Sequence, residues 1–110
     1  MKIVRIDTRE ITDWDTFHDV FAKAFGFPDY YGRNMNSWID CLSYLDEPAA
    51  GMTSIHVEPN EVLALHLEEI ADFARRRPEQ YDAIVESSAF VNYRRIESGD
   101  TALLALSFCK

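Results

Sequence analysis

The segment Phe27-Pro28-Asp29-Tyr30-Tyr31-Gly32-Arg33-Asn34-Met35-Asn36-Ser37-Trp38-Ile39-Asp40-Cys41-Leu42 sets one isolated carboxylate, Asp40, behind a pair of tyrosines. A carboxylate on a stiff support can accept charge-assisted hydrogen bonds from Arg, Lys or His. Asn36, Asp40, Ser43 and Glu47 recur at three- and four-residue intervals, so a helix would project them together on one polar face. Tyr30 and Tyr31 belong to a tyrosine-rich loop just ahead of that face.

Other residues invite a catalytic reading. His56 and Glu58 alternate as on a strand, and His66 and Glu69 are spaced as on a helix, so either pair could be taken for two metal ligands. A zinc centre needs three or four ligands and a supporting shell, and no further His or Cys has matching spacing. Neither a metal nor another cofactor is expected. Arg75, Arg76 and Arg77 with Arg94 and Arg95 could clamp a phosphate beside a His and a Glu, which is what acid–base ribonuclease chemistry requires. Three cations closing a helix are, however, what the negative end of a helix dipole favours. There is no glycine-rich phosphate loop and no Gly-x-Ser-x-Gly, so the chain is not expected to be an enzyme.

The elements that must carry these groups follow from periodicity. Lys2 to Asp7 alternates and predicts a strand; a helix from Thr12 has Trp14, Phe17, Phe21, Ala24 and Phe25 on its apolar side and ends near Gly26 and Pro28. Gly32 is expected to supply a permissive φ for the turn after the tyrosines, and Asn34 to cap a second helix running to about Leu45. On that helix Met35, Trp38, Ile39, Leu42 and Leu45 form the core stripe. Beyond the Pro48 to Gly51 loop, a strand is expected over Ser54 to Glu58. A long helix follows over Glu61 to Arg77, burying Val62, Leu65, Ile70 and Phe73, and then a short helix from Pro78 to about Ser87. Ala89 to Ile96 and Ala102 to Phe108 read as two strands joined by a turn at Ser98-Gly99-Asp100. The order is β-α-α-β-α-α-β-β: an α/β fold with a small, three- to four-stranded, largely parallel sheet, packed by helices and closed by a C-terminal hairpin.

Charge narrows the class of partner. The net charge is −8, but residues 10 to 72 hold thirteen acidic side chains against Lys23 and Arg33, whereas the rest of the chain is slightly basic. Phosphate contacts come from Lys and Arg, so this acidic half does not suit nucleic acid; it suits a basic protein. With 110 residues and 47% hydrophobic content, one domain over residues 1–110 is expected. The amino-terminal run lacks the apolar core of a signal peptide and no stretch could span a membrane, so a cytoplasmic protein without membrane contact is expected. Cys41 and Cys109 offer neither a disulfide framework nor Cys-x-x-Cys spacing, and both are expected to be reduced.

The loop and helix segment resembles the barstar family of ribonuclease inhibitors, whose corresponding stretch reads close to Leu-Pro-Glu-Tyr-Tyr-Gly-x-Asn-Leu-Asp-x-Leu-Trp-Asp-Cys-Leu. The match is gapless: Tyr30, Tyr31, Gly32, Asn34, Asp40, Cys41 and Leu42 are identical, and Phe27, Asp29 and Met35 are conservative replacements. Two departures stand out. Asn36 replaces the family's first helical aspartate, and Ile39 replaces its tryptophan, the indole moving one place back to Trp38. A step of one residue is about 100°, so Trp38 is expected to turn into the core.

The resemblance implies a three-stranded parallel sheet packed by helices, with the Ala89 to Ile96 strand an addition to the family fold. It also implies an intracellular inhibitor, an immunity protein against a secreted or toxin-type ribonuclease, monomeric before it meets its partner. Asp40 would mimic a substrate phosphate, Tyr30 would cover a catalytic histidine, and Tyr31, Gly32, Asn34, Asn36, Ser43 and Glu47 would complete the face. The departures keep open an alternative, an adaptor or regulator on the same scaffold that binds a basic protein other than a nuclease.

Overall fold

A computed structural model describes residues 1–108; Cys109, expected to be a reduced thiol, lies outside the described residues. Strand β1 (Lys2–Asp7) leads through a 3-10 turn to α1 (Trp14–Phe25), and α2 (Met35–Leu42) follows. A long irregular stretch then reaches β2 (Leu63–Glu68), α3 (Ile70–Arg76), α4 (Pro78–Glu97) and β3 (Leu104–Phe108). The sheet has order β1-β2-β3 and both pairings are parallel, Lys2 facing Leu63 and Leu63 facing Leu104. No helix among the described residues is long and apolar enough to cross a membrane.

Helix α1 begins at a capping box: the Asp13 carboxylate accepts from the Thr16 N–H, and the Thr16 hydroxyl accepts from the Asp13 N–H. Phe17, Phe21 and Phe25 are fully buried along one side, while Trp14, expected with them, stands half exposed at the rim. The helix ends at Gly26 with φ 66°, and an added Cβ there would fall 2.3 Å from Ser54 Oγ and 3.2 Å from the Ser54 backbone nitrogen. Only glycine meets both the left-handed backbone and this close approach.

The expected strand over Ser54 to Glu58 does not form. The Ser54 N–H donates to the Phe25 carbonyl and the Val57 N–H to the Leu45 carbonyl, so the segment is pinned to the end of α1 and to the turn after α2 instead of a sheet. The expected long helix over Glu61 to Arg77 is also corrected: its first half is β2 and only Ile70–Arg76 is helical. Leu63, Leu65 and Leu67 of the central strand β2 are buried in the core, while Ala64, His66 and Glu68 lie on the other face beside the exposed Ile3, Arg5 and Ala105, so the strand alternates and its six residues run through Glu69 straight into the helix. Glu69, in the left-handed region with φ 58°, makes the turn from strand to helix.

Among the described residues there is neither a C-terminal hairpin nor a fourth strand. Ala89 to Ile96 continues α4, and Ser98-Gly99-Asp100 is the end of that helix, with the Asp100 N–H donating to the Arg95 carbonyl. The chain then returns as β3, parallel to β2. Asn92 fastens the return: its Oδ1 accepts from the Leu103 and Leu104 N–H groups and its Nδ2 donates to the Leu104 carbonyl, at 3.0, 3.0 and 2.9 Å.

Candidate partner-binding face

The tyrosine loop is stiff because its aromatic rings are stacked into the helical layer. Phe27 stacks on Phe25 with ring centroids 5.8 Å apart and meets Tyr31 at 4.6 Å. Tyr31 is 9% exposed, and its hydroxyl shares a 2.7 Å hydrogen bond with Nδ1 of the buried His18. Burial raises the Tyr31 pKa above its ordinary value, and burial followed by the Arg33 charge lowers that of His18, so both stay neutral at this contact. Tyr30, the next residue back, is 73% exposed, its hydroxyl 3.7 Å from Met52 Sδ.

Gly32 does not supply the turn conformation assigned to it. The left-handed residue is Arg33, with φ 54°, held there by its guanidinium, which donates to Asp19 Oδ1 and the Asp15 carbonyl on α1. Gly32 is needed for closeness instead: a Cβ would fall 2.2 Å from Ser37 Oγ and 3.3 Å from Ser37 Cβ. Asn34 caps α2 as expected, accepting from the Ser37 N–H at 2.8 Å and donating to the Gly32 carbonyl at 3.3 Å.

On α2 itself Trp38 is fully buried, edge-on to Phe21, as the 100° step requires. Cys41 is also buried, and burial followed by the neighbouring Asp40 charge pushes its thiol up to about 11. Asn36 and Asp40 are exposed on the opposite face. The helix stops at Leu42 rather than Leu45, which separates the remaining expected residues from that face. Ser43 is half-buried and its hydroxyl donates to the Ile39 carbonyl at 2.6 Å, while Glu47 lies exposed in the following loop.

The structure therefore brings Tyr30, Tyr31, Gly32 and Asp40 to one shallow cavity of about 180 Å³, together with Ser37, Cys41 and Met52. Asn34 supports it from the cap; Asn36, Ser43 and Glu47 do not line it. Ser37 and Met52 carried no sequence signal. A third omission matters more: Arg94 Nη1 on α4 donates to Asp40 Oδ1 at 3.1 Å, and next to it Arg95 makes a two-pronged pair with Asp46 at 2.6 and 3.2 Å. A contact between residues 54 apart in the chain leaves no local pattern.

The other constellations do not assemble. His66 faces Ser107 across β2 and β3, at 2.9 Å, and Arg76 is spent on Asp72 and on the carbonyls of Thr8 and Ile11. Among the described residues no three His, Cys, Asp or Glu side chains gather as a metal site requires.

Residues 1–98 match the family described as Barstar (barnase inhibitor). Over 81 residues the chain is 27% identical to the Bacillus subtilis (strain 168) protein named "Putative ribonuclease inhibitor YrdF", an alignment that covers 73% of this chain and 89% of that protein. The match spans β1 through the end of α4, including the tyrosine loop, the capped helix and its Asp-Cys-Leu. The chain belongs to the barstar family.

Proposed function

We propose that this protein inhibits a ribonuclease by inserting Asp40 into the site that receives a substrate phosphate. The observation that carries the reading is the exposed Asp40 carboxylate, held on a capped helix beside the projecting Tyr30 and in a cavity lined by both. A ribonuclease active site is basic because it binds phosphate, so its Arg, Lys or His would donate to the carboxylate. Tyr30 would lie over an active-site histidine and Asn36 would meet the rim. Tyr31, Gly32 and Asn34 hold the geometry, and Ser43 and Glu47 contribute at the periphery. The family's printed description as an inhibitor and the name of the Bacillus subtilis relative support a role of this type. In this reading the protein has no catalytic activity of its own and acts inside the cell against a secreted or toxin-type enzyme.

Capture of the partner from a native extract, followed by a nuclease assay, is the direct test. Asp40→Ala is expected to fold normally and to weaken inhibition of the captured nuclease by at least about 2 kcal/mol, the size of charged hot spots at other protein interfaces. Undiminished inhibition by that variant removes the mimicry mechanism.

The neutral Asn36 favours a second reading, an adaptor for a basic protein that is not a nuclease. Asn36→Asp separates the two. It is expected to tighten binding to a guanyl-specific microbial ribonuclease. Where the true partner is built around the amide's N–H, the same change leaves that partner's acceptor unpaired and weakens binding by about 1–3 kcal/mol. Calorimetric titration of both proteins against both variants reads the signs.

A further inference from the structure

Asp40 is not a free carboxylate: one of its oxygens already accepts from Arg94 of α4. The two side chains are 55% and 43% exposed, so the pair lies on the surface, where it is weak and exchangeable. A partner cation seated on the same carboxylate would come within a few ångströms of the Arg94 guanidinium. As the interface closes, water leaves and the like charges repel more strongly. Arg94 must then swing away or receive an acceptor of its own.

Exposed aromatic side chains accompany Arg94 on α4. Phe90, one turn before Arg94 on α4, is 48% exposed, and Tyr93 is 59% exposed with its ring 6.4 Å from that of Phe90. Phe90, Tyr93 and Arg94 neighbour one another on α4 by helix spacing, and Arg94 reaches Asp40 on α2, so aromatic and arginine side chains stand together, which is the composition that anchors protein interfaces. A charge covered there without a partner is penalised far more than one at a wet rim.

We infer that Arg94 is a specificity-determining residue of this face, one that rejects ribonucleases offering only cations to Asp40 and selects one that sets a carboxylate beside the group receiving Asp40. This rests on the ribonuclease-inhibitor reading. A partner carboxylate would bind the guanidinium fork while the adjacent cation binds Asp40, so all four charges would be paired as water is excluded.

Two probes read the inference: a basic microbial ribonuclease with no carboxylate on its active-site rim, and the same ribonuclease carrying a Lys→Glu reversal on that rim. Arg94→Gln is expected to tighten binding to the first by at least about tenfold and to weaken binding to the second, with Arg75→Gln, on α3, changing neither by more than about twofold. In an Asp40→Asn background the Arg94 effect on the first probe is expected to vanish. An equal gain in that background would show that Arg94 acts only through general charge and would overturn the inference, as would the same sign of effect on both probes. Independently of any nuclease, the Asp40 side-chain carboxyl carbon resonance is expected to move on Arg94→Gln, and an unmoved resonance also overturns it. If neither the parent nor any variant bound either probe, the inhibitor reading would fail and the selectivity with it; binding without dependence on Arg94 would sink the selectivity alone.

Discussion

Arg95 and Arg94 are consecutive on α4 and both reach across to the α2 side, yet their surroundings differ. Arg95 and Asp46 are 12% and 15% exposed and joined by two hydrogen bonds, whereas Arg94 and Asp40 share one bond in solvent. The same split runs through the tyrosine loop and α2: Tyr31 is sealed against His18 while Tyr30 projects, and Cys41 is buried while Asp40 is not. One residue of offset separates an inner row, Tyr31, Cys41 and Arg95, from an outer row, Tyr30, Asp40 and Arg94. The inner row fixes where the outer row stands, so stability and recognition can be changed separately even though their residues are neighbours.

The largest break in this contrast is expected from Arg95→Ala. It leaves the shielded Asp46 without its fork and should cost about 3 kcal/mol of stability, against less than about 1 kcal/mol for Arg94→Ala. Urea unfolding of both variants reads the difference, and equal losses would erase the distinction between the rows.

Tyr31→Phe comes next, at about 1 kcal/mol for a lost buried hydrogen bond, while Tyr30→Phe should fall within about 0.5 kcal/mol of the parent. The same contact sets a pH dependence. Because the folded His18 pKa lies below its ordinary value, the unfolded chain binds the proton more readily. The His18 contribution is therefore complete above about pH 6.5 and is lost as pH falls toward the folded value. Unfolding curves between pH 7 and 5 should show stability declining, and His18→Gln should flatten that slope. A parent stability that rises on acidification over this range would contradict the assignment.

The smallest effect sharpens the comparison chemically. With its thiol raised to about 11 and its side chain buried, Cys41 should react with iodoacetamide at pH 8 far more slowly in the folded protein than in the denatured one. Equal rates, followed by mass of the Cys41 peptide, would place it in the outer row.

Where local pattern and tertiary environment agree, the fold is readable in advance. The alternation of Lys2 to Asp7, the phenylalanine ladder of α1 and the Asn34 cap all survive into the structure. Reading fails where two short elements abut or where an outer face is apolar. β2 passes into α3 with only Glu69 between them, so Leu65 of the strand and Phe73 of the helix fall into a false helical spacing. In α4 the exposed Phe90, Tyr93 and Ile96 blur the amphipathic contrast, and the aromatic, β-branched run imitates a strand. The same aromatics share α4 with Arg94, the residue that reaches Asp40. Of the candidate site, the loop and helix were visible because their residues are contiguous, whereas Arg94 and Met52 join only through folding.

The position of β3 bears on how the protein is made. As a nascent chain leaves the ribosome, β2 emerges with a row of unpaired backbone N–H and C=O groups along each edge, and β1 is already available for only one of them. The second edge stays open through the synthesis of α3 and α4, until Leu104 to Phe108 appears and Asn92 can take hold of its backbone. Until β3 docks, the stretch Leu63 to Leu67 keeps one edge unpaired and is a template for pairing with another chain.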